Sequence, residues 1–105
     1  NQAQAHAQFV SNVVDFGMNV QSALEAARFT KATFEGCDVS LESRIPEDVR
    51  NELARRGHAI TVLAPWASLV GQGEAVMRDG KRGVNFAGSD PRCDGAAIPQ
   101  SPPVF

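Results

Sequence analysis

The 105-residue sequence has no excess of basic charge, no long apolar run and little cysteine. Ten Lys and Arg stand against twelve Asp and Glu, a formal net charge of −2. Nucleic acid and anionic membranes both select a basic footprint, so neither is expected as the main partner. The longest apolar stretches, Ala59–Ile60 and Val62–Trp66, are separated by Thr61 and fall short of the ~18–20 residues of a membrane-spanning helix. Two cysteines, Cys37 and Cys93, do not make a disulfide framework; reduced thiols are expected, with a single bridge as the alternative. His6 and His58 lie at metal-ligand spacing neither with each other nor with a cysteine, so no zinc pattern is present and no cofactor is expected. The opening Asn1-Gln2-Ala3-Gln4-Ala5-His6 has no initiator Met, no charged n-region and no apolar h-region. It reads as the start of a segment of something longer.

What is present suffices for one globular domain over residues 1–105, with 43% hydrophobic and 21% charged residues. Phe9, Val10, Val13 and Val14 share one face of a helix expected from about Ala3 to Phe16, with Gln4, Gln8, Ser11 and Asp15 elsewhere on the cylinder and Gly17 as its stop. A second helix follows. Asn19 is its preferred N-cap, because Val20, Ala23, Leu24 and Ala27 already repeat at helical spacing; Ser22 with Glu25 is the alternative, a capping box. Thr30 to Phe34 is ambiguous, whereas Val39–Ser43 alternates as a half-buried strand. A third helix is expected with Pro46 at N1, Glu47 and Asp48 in the first turn, an Ile45, Val49 and Leu53 stripe, and Gly57 at its end. Ala59–Leu63 is a strand and Ala64–Gly73 a loop. Glu74–Met77 and Val84–Ala87 flank a turn to make a hairpin, and the proline-containing tail from Gly88 is irregular. The order α-α-β-α-β-β-β predicts an α+β fold, helices packed on a mainly antiparallel sheet.

Single residues carry little chemistry. His58 is expected to begin a strand, Gly71-Gln72-Gly73 lacks the Lys and following helix of a phosphate loop, and Trp66 and Leu69 are expected to be buried against the helices. The charged residues say more. Asp90-Pro91-Arg92 holds a carboxylate and a guanidinium on a stiffened chain, and Arg28 stands at the end of the second helix. Arg28, Asp90 and Arg92 are therefore structural ion-pair candidates that would pin the tail to the helical arm. Recognition of a substrate carboxylate is the functional alternative.

Four stretches then occur in order: Asp15-Phe16-Gly17-Met18-Asn19-Val20-Gln21, Ala23-Leu24-Glu25-Ala26-Ala27-Arg28-Phe29, Arg56-Gly57-His58, and Gly88-Ser89-Asp90-Pro91-Arg92 with Gly95-Ala96-Ala97. Together they resemble the C-terminal part of the small subunit of the gamma-glutamyltransferase (gamma-glutamyltranspeptidase) family, from Asn1 to about Ala97. Gln2-Ala3-Gln4 resembles the stretch that follows the glycine pair of the family's oxyanion site. The resemblance implies part of an αββα N-terminal-nucleophile hydrolase sandwich. It implies a parent enzyme whose N-terminal Thr attacks gamma-glutamyl carbonyls of glutathione-like substrates and forms an acyl-enzyme that water or an amine resolves. It places no catalytic or substrate-binding residue in this chain, so this piece alone is expected to be inactive. The implied partners are the large subunit and the N-terminal part of the small subunit. Ala27 departs from the family, which usually has Pro before the Arg, and Cys93 follows the Asp-Pro-Arg motif. A non-catalytic binding or assembly module built on the same scaffold is the alternative, and self-association through an uncovered edge or apolar face is expected.

Overall fold

Asn19 caps the second helix because its extended backbone turns the side-chain oxygen onto the Ser22 N–H, 2.8 Å away. The computed structural model describes residues 1–101. Its elements are α1 (Gln2–Val14), α2 (Val20–Glu25), β1 (Phe29–Thr30), β2 (Asp38–Glu42), α3 (Glu47–Arg55), β3 (Ala59–Leu63), β4 (Glu74–Asp79) and β5 (Val84–Ser89). Gly17, at φ 65°, makes the bend between α1 and α2, and the Met18 N–H reaches back to Asn12 O. The fold is α+β.

Strands order as β1-β2-β3, with β1 antiparallel and β3 parallel to β2; β4 and β5 form a separate antiparallel hairpin. Helix α3 makes the crossover between the parallel strands, as parallel pairing demands a long connection. The Asp79 carboxylate closes the hairpin by accepting the Lys81 and Arg82 N–H groups.

Several sequence expectations are corrected. Helix α2 ends at Glu25, since Ala26 turns extended at ψ 141°, so Ala27 and Arg28 lie beyond it on the approach to β1. Pro46 is the cap and not the first helical residue: its ψ is 144° and its carbonyl accepts the Arg50 N–H. The ambiguous segment contributes the two-residue β1, and β5 continues to Ser89, two residues past its expected end. No residue of α3 is buried, because the helix packs on β3 and no other described element lies over it.

Among the described residues the buried apolar ones are few: Val20, Ala23, Leu24, Leu41 and Val70. Val14, Phe16, Val76 and Ile98 each remain more than 70% exposed. Helix α2 packs on the hairpin at Gly88, where an added Cβ would lie 3.1 Å from Val20 and Leu24 side-chain carbons. Gln4 and Gln8, expected only to lie off the apolar face of α1, instead close the free edge of β1. Gln8 accepts the Phe29 N–H and donates to its carbonyl, both at 3.0 Å, and Gln4 does the same to Lys31 at 2.9 Å. Gln21 closes β5 identically at Ser89.

Candidate functional site

The early end of α2 decides what gathers around it. A helix leaves its last carbonyls without partners, and here three arginines supply the missing donors. Leu24 O accepts from Arg28 Nη2 (2.8 Å) and Arg92 Nη1 (2.9 Å), Glu25 O from Arg44 Nη2 (2.7 Å), and Ala26 O from Arg92 Nη2 (3.0 Å). Their charge also suits the negative end of the helix.

Two carboxylates answer these cations. Glu42, at the end of the central strand β2, is fully buried and accepts five hydrogen bonds. Its Oε1 takes Arg92 Nε (2.7 Å) and the Ala67 N–H (3.0 Å). Its Oε2 takes Arg92 Nη2, the Arg28 N–H (3.0 Å) and Arg44 Nη2 (3.1 Å). Asp90 follows β5 and is 1% exposed. Its Oδ1 accepts both the backbone N–H and Nη1 of Arg92, each at 3.0 Å, so the Asp-Pro-Arg turn closes on itself. Its Oδ2 stands 2.8 Å from Arg28 Nη2 but off the N–H axis, held by charge without an aligned hydrogen bond. Arg28 Nη1 reaches Gly71 O at 2.9 Å.

The sequence-derived candidates Arg28, Asp90 and Arg92 thus meet in one buried cluster. Glu42, its most heavily bonded member, was not among them, because the alternation of β2 assigns it to a polar, solvent-facing row. The tail and the end of α2 cover that row. A signal for it exists in the charge count: one aspartate cannot balance two buried arginines.

All five N–H groups of Arg92 are committed, two to Glu42, one to Asp90 and two to backbone carbonyls. Burial opposes the charge on Glu42, but hydrogen bonds from Arg92, the Arg28 N–H and the Ala67 N–H outweigh it and hold its pKa below the ordinary 4.5. Burial likewise opposes the charge on Arg92, and its bonds to Glu42 and Asp90 prevail, raising its pKa. Arg28 and Arg92 against Glu42 and Asp90 sum to zero, as a site closed to water requires.

Trp66 lies at the rim and not in the core. It is 42% exposed, with the Arg44 guanidinium 3.4 Å above its ring and that of Arg92 at 5.3 Å. Leu69 is 58% exposed, again contrary to the expectation of burial. Cys37 and Cys93 are free thiols. His58 is exposed and directly precedes β3, and Gly71-Gln72-Gly73 leads into β4. Among the described residues no group of three or more His, Cys, Asp or Glu is placed to hold a metal ion. Chemically the cluster pairs two guanidinium groups with two carboxylates, and the donors of Arg92 are already spent on internal partners.

Comparison with known proteins places these features in context. A family model described as Gamma-glutamyltranspeptidase matches residues 1–100. The glutathione hydrolase-like YwrD proenzyme of Bacillus subtilis (strain 168) is 30% identical over 102 residues, covering 92% of this chain and 19% of that protein. The crystal structure of cephalosporin acylase from Bacillus halodurans is similar with a TM-score of 0.80 and 38% identity, over 88% of this chain and 17% of that one. Gamma-glutamyltranspeptidase from Pseudomonas nitroreducens shares the fold at a TM-score of 0.77 and 22% identity, over 92% of this chain and 49% of its own. The chain spans about a fifth of the length of the curated relative it matches.

Proposed function

The chain belongs to the gamma-glutamyltranspeptidase family, whose members are transferases and hydrolases of the N-terminal-nucleophile fold, and from that premise we propose that it is a scaffold part of such an enzyme. In this reading it is the C-terminal part of the small subunit, and the rest of that subunit and the large subunit are its partners. The assembled enzyme transfers or hydrolyses gamma-glutamyl groups of glutathione-like small molecules. A Thr outside this segment attacks the gamma-glutamyl carbonyl, its hydroxyl proton passes to the α-amine, and the resulting α-ammonium protonates the leaving nitrogen as the C–N bond breaks, which leaves an acyl-enzyme for water or an acceptor amine. The Bacillus relative's description as glutathione hydrolase-like supports this substrate class.

The observation that carries the scaffold role is the commitment of Arg92. A guanidinium that recognised a substrate carboxylate would keep a pair of N–H groups pointing into open space. Here Arg92 has none left, and it ties residues from α2, β2 and the tail into one piece. Arg28, Asp90 and Arg92 are accordingly read as structural ion pairs.

The test uses a gamma-glutamyl anilide. The chain alone is expected to release no anilide above buffer, and its addition to the remainder of the enzyme is expected to restore release. Turnover by the chain alone refutes the scaffold reading. Stable assembly without activity, in a parent that retains its nucleophile, favours a non-catalytic assembly module.

A further inference from the structure

The connection between β1 and β2 is built around a charge. Residues 31–38 wrap the Lys31 ammonium, whose Nζ lies 2.6 Å from Asp38 Oδ1, 3.0 Å from Glu35 O, 3.2 Å from Asp38 O and 3.4 Å from Thr33 Oγ1. Thr33 Oγ1 is itself 2.7 Å from Glu35 O and 2.8 Å from Asp38 Oδ1, and its one proton serves only one of them. Two carbonyls, a carboxylate and a hydroxyl therefore converge with too few donors of their own, and a cation is needed between them. Gly36, at φ 74°, makes the left-handed turn between the two carbonyl-bearing residues. Nothing else holds the loop closed. Phe34, its one large apolar side chain, is fully exposed, and among the described residues no backbone–backbone hydrogen bond joins residues 31–37 to one another.

We propose that residues 31–38 form a cage for a monovalent cation, that the Lys31 ammonium is its resident ion, and that the cage takes ammonium or K⁺ from solution when this amine is absent. Size and charge set the class. Ca²⁺ holds oxygens at about 2.3–2.6 Å and Mg²⁺ at about 2.0–2.1 Å. Three of the four cage oxygens stand farther from the nitrogen than either range. Carbonyl oxygens replace the hydration shell of K⁺, an ion close to ammonium in size. The single carboxylate supplies one negative charge, which a monovalent ion neutralises. The hydrogen bonds from Lys31 and Thr33 hold the Asp38 pKa below the ordinary 3.8, so that charge is in place at neutral pH. Gln4 pins the Lys31 backbone at both its N–H and its carbonyl, which fixes the root of the tether. A tethered ammonium is present at high effective concentration and makes the loop independent of the surrounding salt. The cage leads straight into the sheet, because Cys37 O accepts the Ala59 N–H where β2 and β3 begin to pair.

The test is Lys31→Ala in the whole chain, read by NMR order parameters of residues 33–37 and by amide exchange of Ala59. In lithium chloride the order parameters are expected to fall from about 0.85 to below about 0.6, with faster Ala59 exchange. Ammonium or K⁺ at the same ionic strength is expected to restore both, and tetramethylammonium, too large for the cage, is not. Wild type is expected to behave alike in every salt, since it carries its own cation. Adding Asp38→Asn to Lys31→Ala is expected to abolish the K⁺ response, with circular dichroism confirming the fold. Adding Thr33→Val instead removes one oxygen, keeps the charge and is expected to weaken K⁺ binding about 3-fold or more. A Lys31→Ala loop as ordered in lithium as that of wild type overturns the proposal. Equal restoration by tetramethylammonium, which is screening alone, stronger restoration by Ca²⁺ than by K⁺, or a K⁺ response unchanged by the second substitution also overturns it.

Discussion

Replacing Glu42 by Gln isolates what the buried cluster contributes. The substitution keeps the shape of the side chain and removes its charge, leaving Arg28 and Arg92 with Asp90 alone. All five groups that bond Glu42 are donors, two on one oxygen and three on the other. An amide can be turned either way, yet its NH2 then confronts at least two N–H groups. Removing one partner of a buried ion pair costs about 3–5 kcal/mol, because the surviving charge stays desolvated. A domain of this size has a total stability of ~5–15 kcal/mol. With five buried apolar residues among those described, this one belongs at the lower end. The expected melting midpoint therefore falls by on the order of 20 °C. Urea unfolding measures the loss directly, followed by far-ultraviolet circular dichroism and by the fluorescence of Trp66, the single tryptophan, which sits against Arg44. A loss below ~1 kcal/mol would refute the reasoning, since it would mean that water already enters the cluster and screens it. Replacing the pair together, Glu42→Leu with Arg92→Met, is expected to cost less than the two single changes summed, because no charge is then stranded.

The remaining expectations follow from the same contacts. The pKa of Glu42 is depressed, so its contribution is fully present above the ordinary value of 4.5 and is lost as the pH falls through the lower folded value; acid titration of wild type and Glu42→Gln should converge below 4.5. Arg28→Ala strips donors from Leu24 O and Gly71 O and leaves Asp90 with one cationic partner, and is expected to lower stability by about 3 kcal/mol; an unchanged midpoint would show the residue idle. Gly88→Val drives side-chain atoms into Val20 and Leu24, and a loss of about 1–3 kcal/mol with weakened packing of α2 on the hairpin is expected by denaturation and amide exchange. Asn19→Ala removes the cap of α2 and is expected to cost about 1 kcal/mol by the same denaturation measurement.

Local chemistry made the elements legible. The capping power of Asn19, the acidic start of α3 and the turn after Asp79 are effects of neighbours in sequence, and each appears where the residues demand. Arg28 and the Asp-Pro-Arg turn were legible for a related reason: a guanidinium beside a helix end and a carboxylate on a stiff turn form a pair with few alternatives. The failures have one cause. Gln4 and Gln8 read only as residues off the apolar face of α1, Glu42 as a polar position of a half-buried strand, Trp66 as core and Ile45, Val49 and Leu53 as the apolar stripe of α3. In each case the outcome depends on what is laid across that face. The irregular tail covers Glu42, the backbone of β1 meets the glutamines, and no described element lies over α3.

By itself, then, the sequence determined the α+β character, the bend at Gly17, most element positions and the family, since helical spacing, caps and ordered motifs are properties of the linear chain. The tertiary structure decided where the charge would be buried. A buried ion is stable only when all its partners arrive together, and the partners of Glu42 come from residues 28, 44, 67 and 92, which only the folded chain brings within reach.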